Sequence, residues 1–185
     1  MINQTSSLEL SHYPVMLNEI IDLSSPSSGG KFIDCTFGAG GYSKELLKFS
    51  KTKVYALDRD KKVIFIANKL KKKFPNRFKF YQIKFSQLDS ILENNIDVII
   101  FDLGLSSIQL DDLERGFSFR SNKELDMAMG LNEISALNVI NSLSEKNLKS
   151  VIKILGEENE ASLIDKNIVK NRNIKKITKT SELVE

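Results

Sequence analysis

Four short runs rich in β-branched and aromatic residues, spaced by helical patterns, constrain this chain more than any other feature. Lys31–Phe37 (KFIDCTF) reads as a strand that ends at glycines, Lys53–Asp58 (KVYALD) as a second and Phe78–Ile83 (FKFYQI) as a third. Ile96–Leu103 (IDVIIFDL) reads as a fourth, and its continuous apolar centre suits a strand buried on both faces. Between the second and third runs Val63, Ile66, Ala67, Leu70 and Phe74 recur at helical spacing. Ser86 followed by Asp89 reads as a capping box that opens a short helix before the fourth strand. This βαβαβαβ rhythm predicts an α/β fold built on a parallel, doubly wound sheet.

After residue 104 the rhythm breaks. Gly104 to Gly130 is loop-like, and three amphipathic patterns follow: Ala136, Val139, Ile140 and Leu143; Leu148, Val151, Ile152 and Leu155; Ala161, Ile164 and Ile168. The expected division is an α/β part over 1–109 and a helical part over 110–185. Thr178–Glu185 (TKTSELVE) reads as the beginning of a helix, and four strands make an unusually short sheet of this type.

Composition narrows the class. With 41% hydrophobic and 28% charged residues the chain is ordinary for a soluble globular protein, and no apolar run is long enough to cross a bilayer. The polar start, Met1 to Ser11, does not resemble a secretory signal, so a cytoplasmic protein is expected. One cysteine, Cys35, and one histidine, His12, leave neither an internal disulfide nor a zinc site, and a metal-free protein is expected. Charge is uneven: residues 44–84 hold 14 Lys/Arg against 3 Asp/Glu, and residues 85–133 hold 3 against 10. A basic block of that size can hold a phosphate backbone, although the run Lys71–Lys73 reads first as a solvated helix face. The last forty residues are also basic on balance, which points to RNA contacts by Lys170, Arg172, Lys175 and Lys176.

The chemistry concentrates where strands end. Gly38, Gly40 and Gly41 lie in FGAGGYS directly after the first strand, where absent side chains let the backbone turn tightly and approach a ligand. Asp58 stands 20 residues beyond Gly38, at the end of the second strand, in the place of a carboxylate that accepts ribose hydroxyls. The pair points to a nucleoside-containing cofactor. Ser43 occupies the third place of a dinucleotide fingerprint, and no Lys-Ser/Thr pair closes a phosphate loop. S-adenosylmethionine, which has a ribose and no phosphate, needs only the acid and the close backbone. The fourth strand ends in Asp102-Leu103-Gly104-Leu105-Ser106-Ser107, where polar groups face a ligand crevice or simply cap a turn.

Seven segments appear in order: His12–Leu17 (HYPVML), Asp34–Ser43 (DCTFGAGGYS), Asp58-Arg59-Asp60, Phe101–Asp112 (FDLGLSSIQLDD), Arg115–Arg120 (RGFSFR), Leu125–Met129 (LDMAM) and Gly156-Glu157-Glu158. Together they resemble the ribosomal RNA small-subunit methyltransferase H family, also called MraW, from His12 onward. The resemblance implies a Rossmann-like catalytic domain with a helical domain inserted after the fourth strand. It places the N-terminal part of the cofactor-binding domain in 1–109 and an incomplete insertion domain in 110–185. It implies methylation of the exocyclic N4 of a cytosine in small-subunit (16S) ribosomal RNA, with S-adenosylmethionine as cofactor and the small ribosomal subunit RNA as partner. Cofactor contacts are implied at Gly40, Gly41, Tyr42, Asp58, Phe85, Asp102 and Gln109, beside Gly38 from the glycine turn. Phe85 would otherwise be read as core packing. Three positions depart from the family pattern: Tyr42 stands where histidine is usual, and Ala128 and Asn159 stand where arginines are usual. Family members also continue with further strands, so the chain is expected to be C-terminally truncated.

Direct transfer to a cytosine amino group requires the base to be flipped, N4 to be aligned with the methyl, and a hydrogen bond to be accepted from the amino group. Asp102, the carbonyl near Leu103 and Ser106 are the candidate acceptors. Cys35 is expected to pack. Two other readings are an amino-methyltransferase acting on another nucleic acid or a small molecule, and an inactive remnant with residual cofactor or RNA binding. The Asp-Leu-Gly-Leu-Ser-Ser strand end differs from the Asp-Pro-Pro-aromatic pattern of the first of these.

Overall fold

The computed structural model describes residues 14–132 and 134–185. His12, singled out above, lies outside them. The chain divides after Ile108, within the short helix α4 (Ser107–Asp111), into two compact units.

The first unit carries the sheet. Strands β1 (Gly30–Asp34), β2 (Thr52–Leu57), β3 (Phe78–Tyr81) and β4 (Val98–Ile100) pair in parallel in the order β3-β2-β1-β4. Phe32 of β1 stands level with Val54 of β2 and Val98 of β4. Chain order reverses at β1, so the carboxyl ends of β1 and β4 flank the crevice in which doubly wound sheets hold ligands. This order of parallel strands with helices on the sheet is Rossmann-like.

Strand alternation sends side chains to two cores. Phe32, Val54, Ala56, Phe78 and Ile100 pack on one face, under helices α1 (Leu17–Ser24), α2 (Gly41–Leu46) and α3 (Ile64–Lys73). The helical stripe read from the sequence holds, with Val63, Ala67 and Leu70 buried and Ile66 and Phe74 packed beside them. Ile33, Cys35, Tyr55 and Leu57 point to the other face, where Ile83, Leu88, Ile91 and Ile96 cover them. That covering segment returns from β3 across the sheet. Glu93 pins it by accepting from the Tyr55 hydroxyl at 2.9 Å and Lys79 Nζ at 2.7 Å.

Two expectations need correction. The fourth strand is shorter than Ile96–Leu103 and is buried on one face only: Ile100 is buried, but Ile99 is 45% exposed and Phe101 48%. Among the described residues β4 pairs with β1 alone, so no neighbouring strand covers its other side. The short helix before it is a 3-10 turn over Phe85–Ser90. Its cap is not Ser86 with Asp89; Gln87 Oε1 accepts from the Lys84 N–H at 3.2 Å.

The second unit carries helices α5 (Ala136–Ser142), α6 (Glu145–Leu155), α7 (Ala161–Ile174) and α8 (Thr180–Val184). Ser135 and Ser144 cap α5 and α6 by accepting from Asn138 N–H and Asn147 N–H, each at 3.3 Å. Caps of this kind stabilise a helix by about 1 kcal/mol. Leu125, Ile140, Leu148, Ile168 and Ile177 form the core. Arg172 donates to the Ile140 and Leu143 carbonyls at 2.6 Å each, satisfying the open end of α5. Lys175 Nζ lies 2.7 Å from Glu182 Oε1. Two of the four basic residues expected to meet RNA are therefore committed inside the unit.

Candidate functional site

The glycine turn follows β1 because the chain must reverse from strand into α2 within a few residues. Gly40 has φ +77°, and a Cβ there would lie 2.9 Å from the Phe37 ring, so only glycine fits without displacement. A Cβ on Gly41 would lie 2.0 Å from Pro14 Cγ, which shows how closely the segment ahead of α1 lies on the turn. Tyr42 fastens that segment: its hydroxyl donates to the Val15 carbonyl.

Asp58 locks the turn to β2. Its Oδ2 accepts from the Gly38 N–H at 2.8 Å and its Oδ1 from the Asp60 N–H at 2.8 Å. The Arg59 N–H also acts on this half-buried carboxylate, and of the four acceptor sites on its two oxygens one remains for a ribose hydroxyl. Burial holds the Asp58 carboxyl above its ordinary pKa, the Asp60 and Gly38 N–H groups acting in the opposite direction.

Asp102 follows β4 across the crevice, and its N–H donates to Thr36 Oγ1 at 2.8 Å. This bond ties the ends of β1 and β4 together. Burial, then the nearby Asp102 and Asp34 charges, push the Tyr42 hydroxyl up to about 12, so it stays a neutral donor. Ser106 lies at the same turn, its Cβ 4.0 Å from where a Gly38 side chain would begin.

Phe85 is not core packing. It is 42% exposed and meets Phe101 edge-on, with ring centroids 5.7 Å apart and planes at 88°. The 3-10 turn that carries it lies on the segment crossing the sheet, which brings a residue that follows β3 to one that follows β4. An exposed aromatic pair suits the flat face of a nucleobase.

Gly38, Gly40, Gly41, Tyr42, Asp58, Phe85, Asp102 and Ser106 thus belong to the first unit. Gln109 opens the second unit and is buried. Sequence reasoning missed three participants. Asp34 is fully buried and accepts from Ser43 Oγ at 2.7 Å and the Thr36 N–H at 3.3 Å. Thr36 holds Asp102, and Phe101 partners Phe85. Strand-end position was the available signal for all three. Cys35 is buried, and burial followed by the Asp34 charge raises its thiol to about 11, which agrees with a packing role.

A turn of bare backbone, a half-buried carboxylate with an acceptor site to spare and an exposed aromatic pair fit a nucleoside without phosphate. Groups of acidic, histidine or cysteine residues that could hold a metal ion are absent among the described residues. No helix among them is long and apolar enough to cross a membrane.

Comparison with known proteins points the same way. The sequence model of the MraW methylase family matches residues 9–185. The ribosomal RNA small subunit methyltransferase H of Ehrlichia ruminantium (strain Welgevonden) is 42% identical over 178 residues, covering 93% of this chain and 59% of that protein. Its namesake from a Wolbachia of Drosophila simulans is 41% identical, covering 95% of this chain and 62% of that protein. Among solved structures, an rRNA methylase from Streptococcus thermophilus overlaps 51% of this chain and 57% of its own, at 19% identity and a TM-score of 0.41. The chain spans about 60% of the length of the curated relatives it matches.

Proposed function

The chain belongs to the MraW methylase family, a family of S-adenosylmethionine-dependent methyltransferases, and on that premise we propose that it serves to methylate the N4 amino group of a cytosine in small-subunit ribosomal RNA. The cofactor, when bound, supplies an electrophilic methyl group. In this reading a ribose hydroxyl donates to Asp58, the glycine turn Gly38–Gly41 lies against the cofactor backbone, and Phe85 borders the adenine. Tyr42 keeps the segment from Pro14 onward seated on the turn.

The cytosine amino lone pair is delocalised into its ring, so the protein must hold N4 in line and accept an amino hydrogen. Asp102, the Leu103 carbonyl and Ser106 are the acceptors at the strand end, and the Thr36–Asp102 bond holds that end in place.

One observation carries the reading: Asp58 is aimed at the glycine turn, so acid and turn form one site rather than two unrelated features. Asp58→Ala is expected to weaken cofactor binding by about 1.5–3 kcal/mol, the worth of charge-assisted hydrogen bonds. Titration calorimetry with S-adenosylhomocysteine measures it, and an unchanged affinity overturns the assignment. Asp58→Asn, which keeps an oxygen for the Gly38 N–H, separates the lost ribose contacts from a loosened turn.

A further inference from the structure

We propose that the outer face of α3 is an RNA-binding surface, with lysines for the phosphodiester backbone and Phe65 for an unpaired base. The proposal rests on reading the protein as an RNA methyltransferase and extends it to a surface apart from the cofactor-binding residues.

From Lys61 to Leu88 the chain has nine Lys/Arg and not one Asp or Glu. Helix periodicity sorts these residues. Val63, Ala67 and Leu70 are turned into the core, whereas Phe65, Asn68, Lys69 and Lys72 share the opposite face, with Lys71 and Lys73 on its flanks. All six are exposed.

Three other basic residues of the first unit have partners of their own. Lys48 pairs with Glu45 at 2.6 Å and Lys79 with Glu93 at 2.7 Å. Arg77 donates to the Leu47 and Phe49 carbonyls at 3.0 and 2.7 Å. Lys69, Lys71, Lys72 and Lys73 have no ion pair among the described residues, so their charge is available to an external anion.

The lysine run alone fits a solvated face. Phe65 changes that reading. It is 62% exposed on the helix face away from the core, and Lys69 Nζ lies 4.4 Å from its ring centroid. An aromatic ring set among cations offers what a single strand needs, a stacking surface beside phosphate-binding charge. An anionic membrane fits less well, because an interfacial helix needs several apolar anchors and this face offers one.

The test uses the full chain and a fluorescein-labelled 20-nucleotide single-stranded RNA of mixed sequence, followed by anisotropy from 50 to 200 mM KCl. The triple variant Lys69→Gln, Lys72→Gln, Lys73→Gln is expected to bind about tenfold more weakly at 100 mM. Its slope of log affinity against log salt should be shallower by about 2, three phosphate contacts on a single strand having been lost. Phe65→Ala is expected to lose about fivefold with the slope unchanged, as removal of a stacking contact does. A triple variant that superimposes on the parent overturns the proposal. So does a parent that leaves the RNA unbound at 50 mM KCl, or one that prefers phosphatidylglycerol vesicles to RNA. An unchanged affinity for Phe65→Ala overturns the stacking contact. Calorimetry with S-adenosylhomocysteine on the same samples keeps the two readings apart. A flat RNA response with cofactor binding intact removes this surface alone, whereas absent cofactor binding in the parent removes the methyltransferase reading.

Discussion

Asp34 shows how one residue can carry a cost for the site it supports. It ends β1 with no solvent exposure, and burial raises its carboxyl from 3.8 to about 6 despite the bonds from Ser43 and Thr36. Well below pH 4 both folded and unfolded chains hold the proton, and the raised pKa has no effect on stability. From about pH 4 to 6 the unfolded chain ionises while the folded chain keeps its proton, so stability falls as pH rises. Above pH 6 the loss levels off, on the order of 3 kcal/mol. Asp34→Asn, which retains an acceptor for Ser43, is expected to remove that decline. Urea unfolding of both proteins at pH 4, 5, 6 and 7 checks it: the stability difference should move in favour of the variant up to pH 6 and then stay constant. Parallel curves would show that Asp34 titrates normally.

At the scale of elements, β4 is the strand whose environment departs most from its sequence. Val98, Ile99, Ile100 and Phe101 look like a strand covered on both sides, yet only the Val98 and Ile100 side packs against the core. Ile99 and Phe101 leave an apolar strip on a strand that pairs with β1 alone among the described residues, a setting that favours association through strand pairing. The 185-residue chain is expected to associate reversibly as its concentration rises. Ile99→Lys should suppress that association while leaving the unfolding midpoint nearly unchanged, because residue 99 contributes little to the core. Sedimentation velocity across a concentration series distinguishes the outcomes; equal association by both proteins would acquit the β4 edge.

At the scale of the whole molecule, the described structure brings together the glycine turn, Asp58 and the Asp102 turn in a chain about 60% as long as its curated relatives. Cofactor binding asks only that those elements be in place. Methyl transfer asks also that the cytosine be held to a fraction of an ångström, and among the described residues no strand lies beyond β4. A polypeptide of these 185 residues is therefore expected to bind cofactor yet to transfer methyl at least about 100-fold more slowly than a full-length relative, misplacement by about an ångström being enough for such a loss. Labelled cofactor with undermodified small ribosomal subunits measures it. Turnover equal to that of the relative would show that a strand beyond β4 is unimportant to catalysis.

The sequence by itself determined the parallel sheet, the break near residue 104, the helical stripe of α3 and the pairing of a glycine turn with Asp58. Each is written in local spacing: period 2 or 3.6, a strand end, or one βαβ unit between acid and glycine. Only the tertiary structure decided that Phe85 meets Phe101, that Asp34 is buried enough to hold its proton to about pH 6, that Arg172 closes α5, and that one side of β4 is exposed. Those depend on which distant segments come to rest against one another. The path of residues 83–96 across the sheet settles the first, and neither composition nor periodicity encodes such a path. The same holds for α3, where the sequence showed a basic run and the fold turned Phe65 outward among the lysines, because the buried stripe fixes which way the remaining face must point.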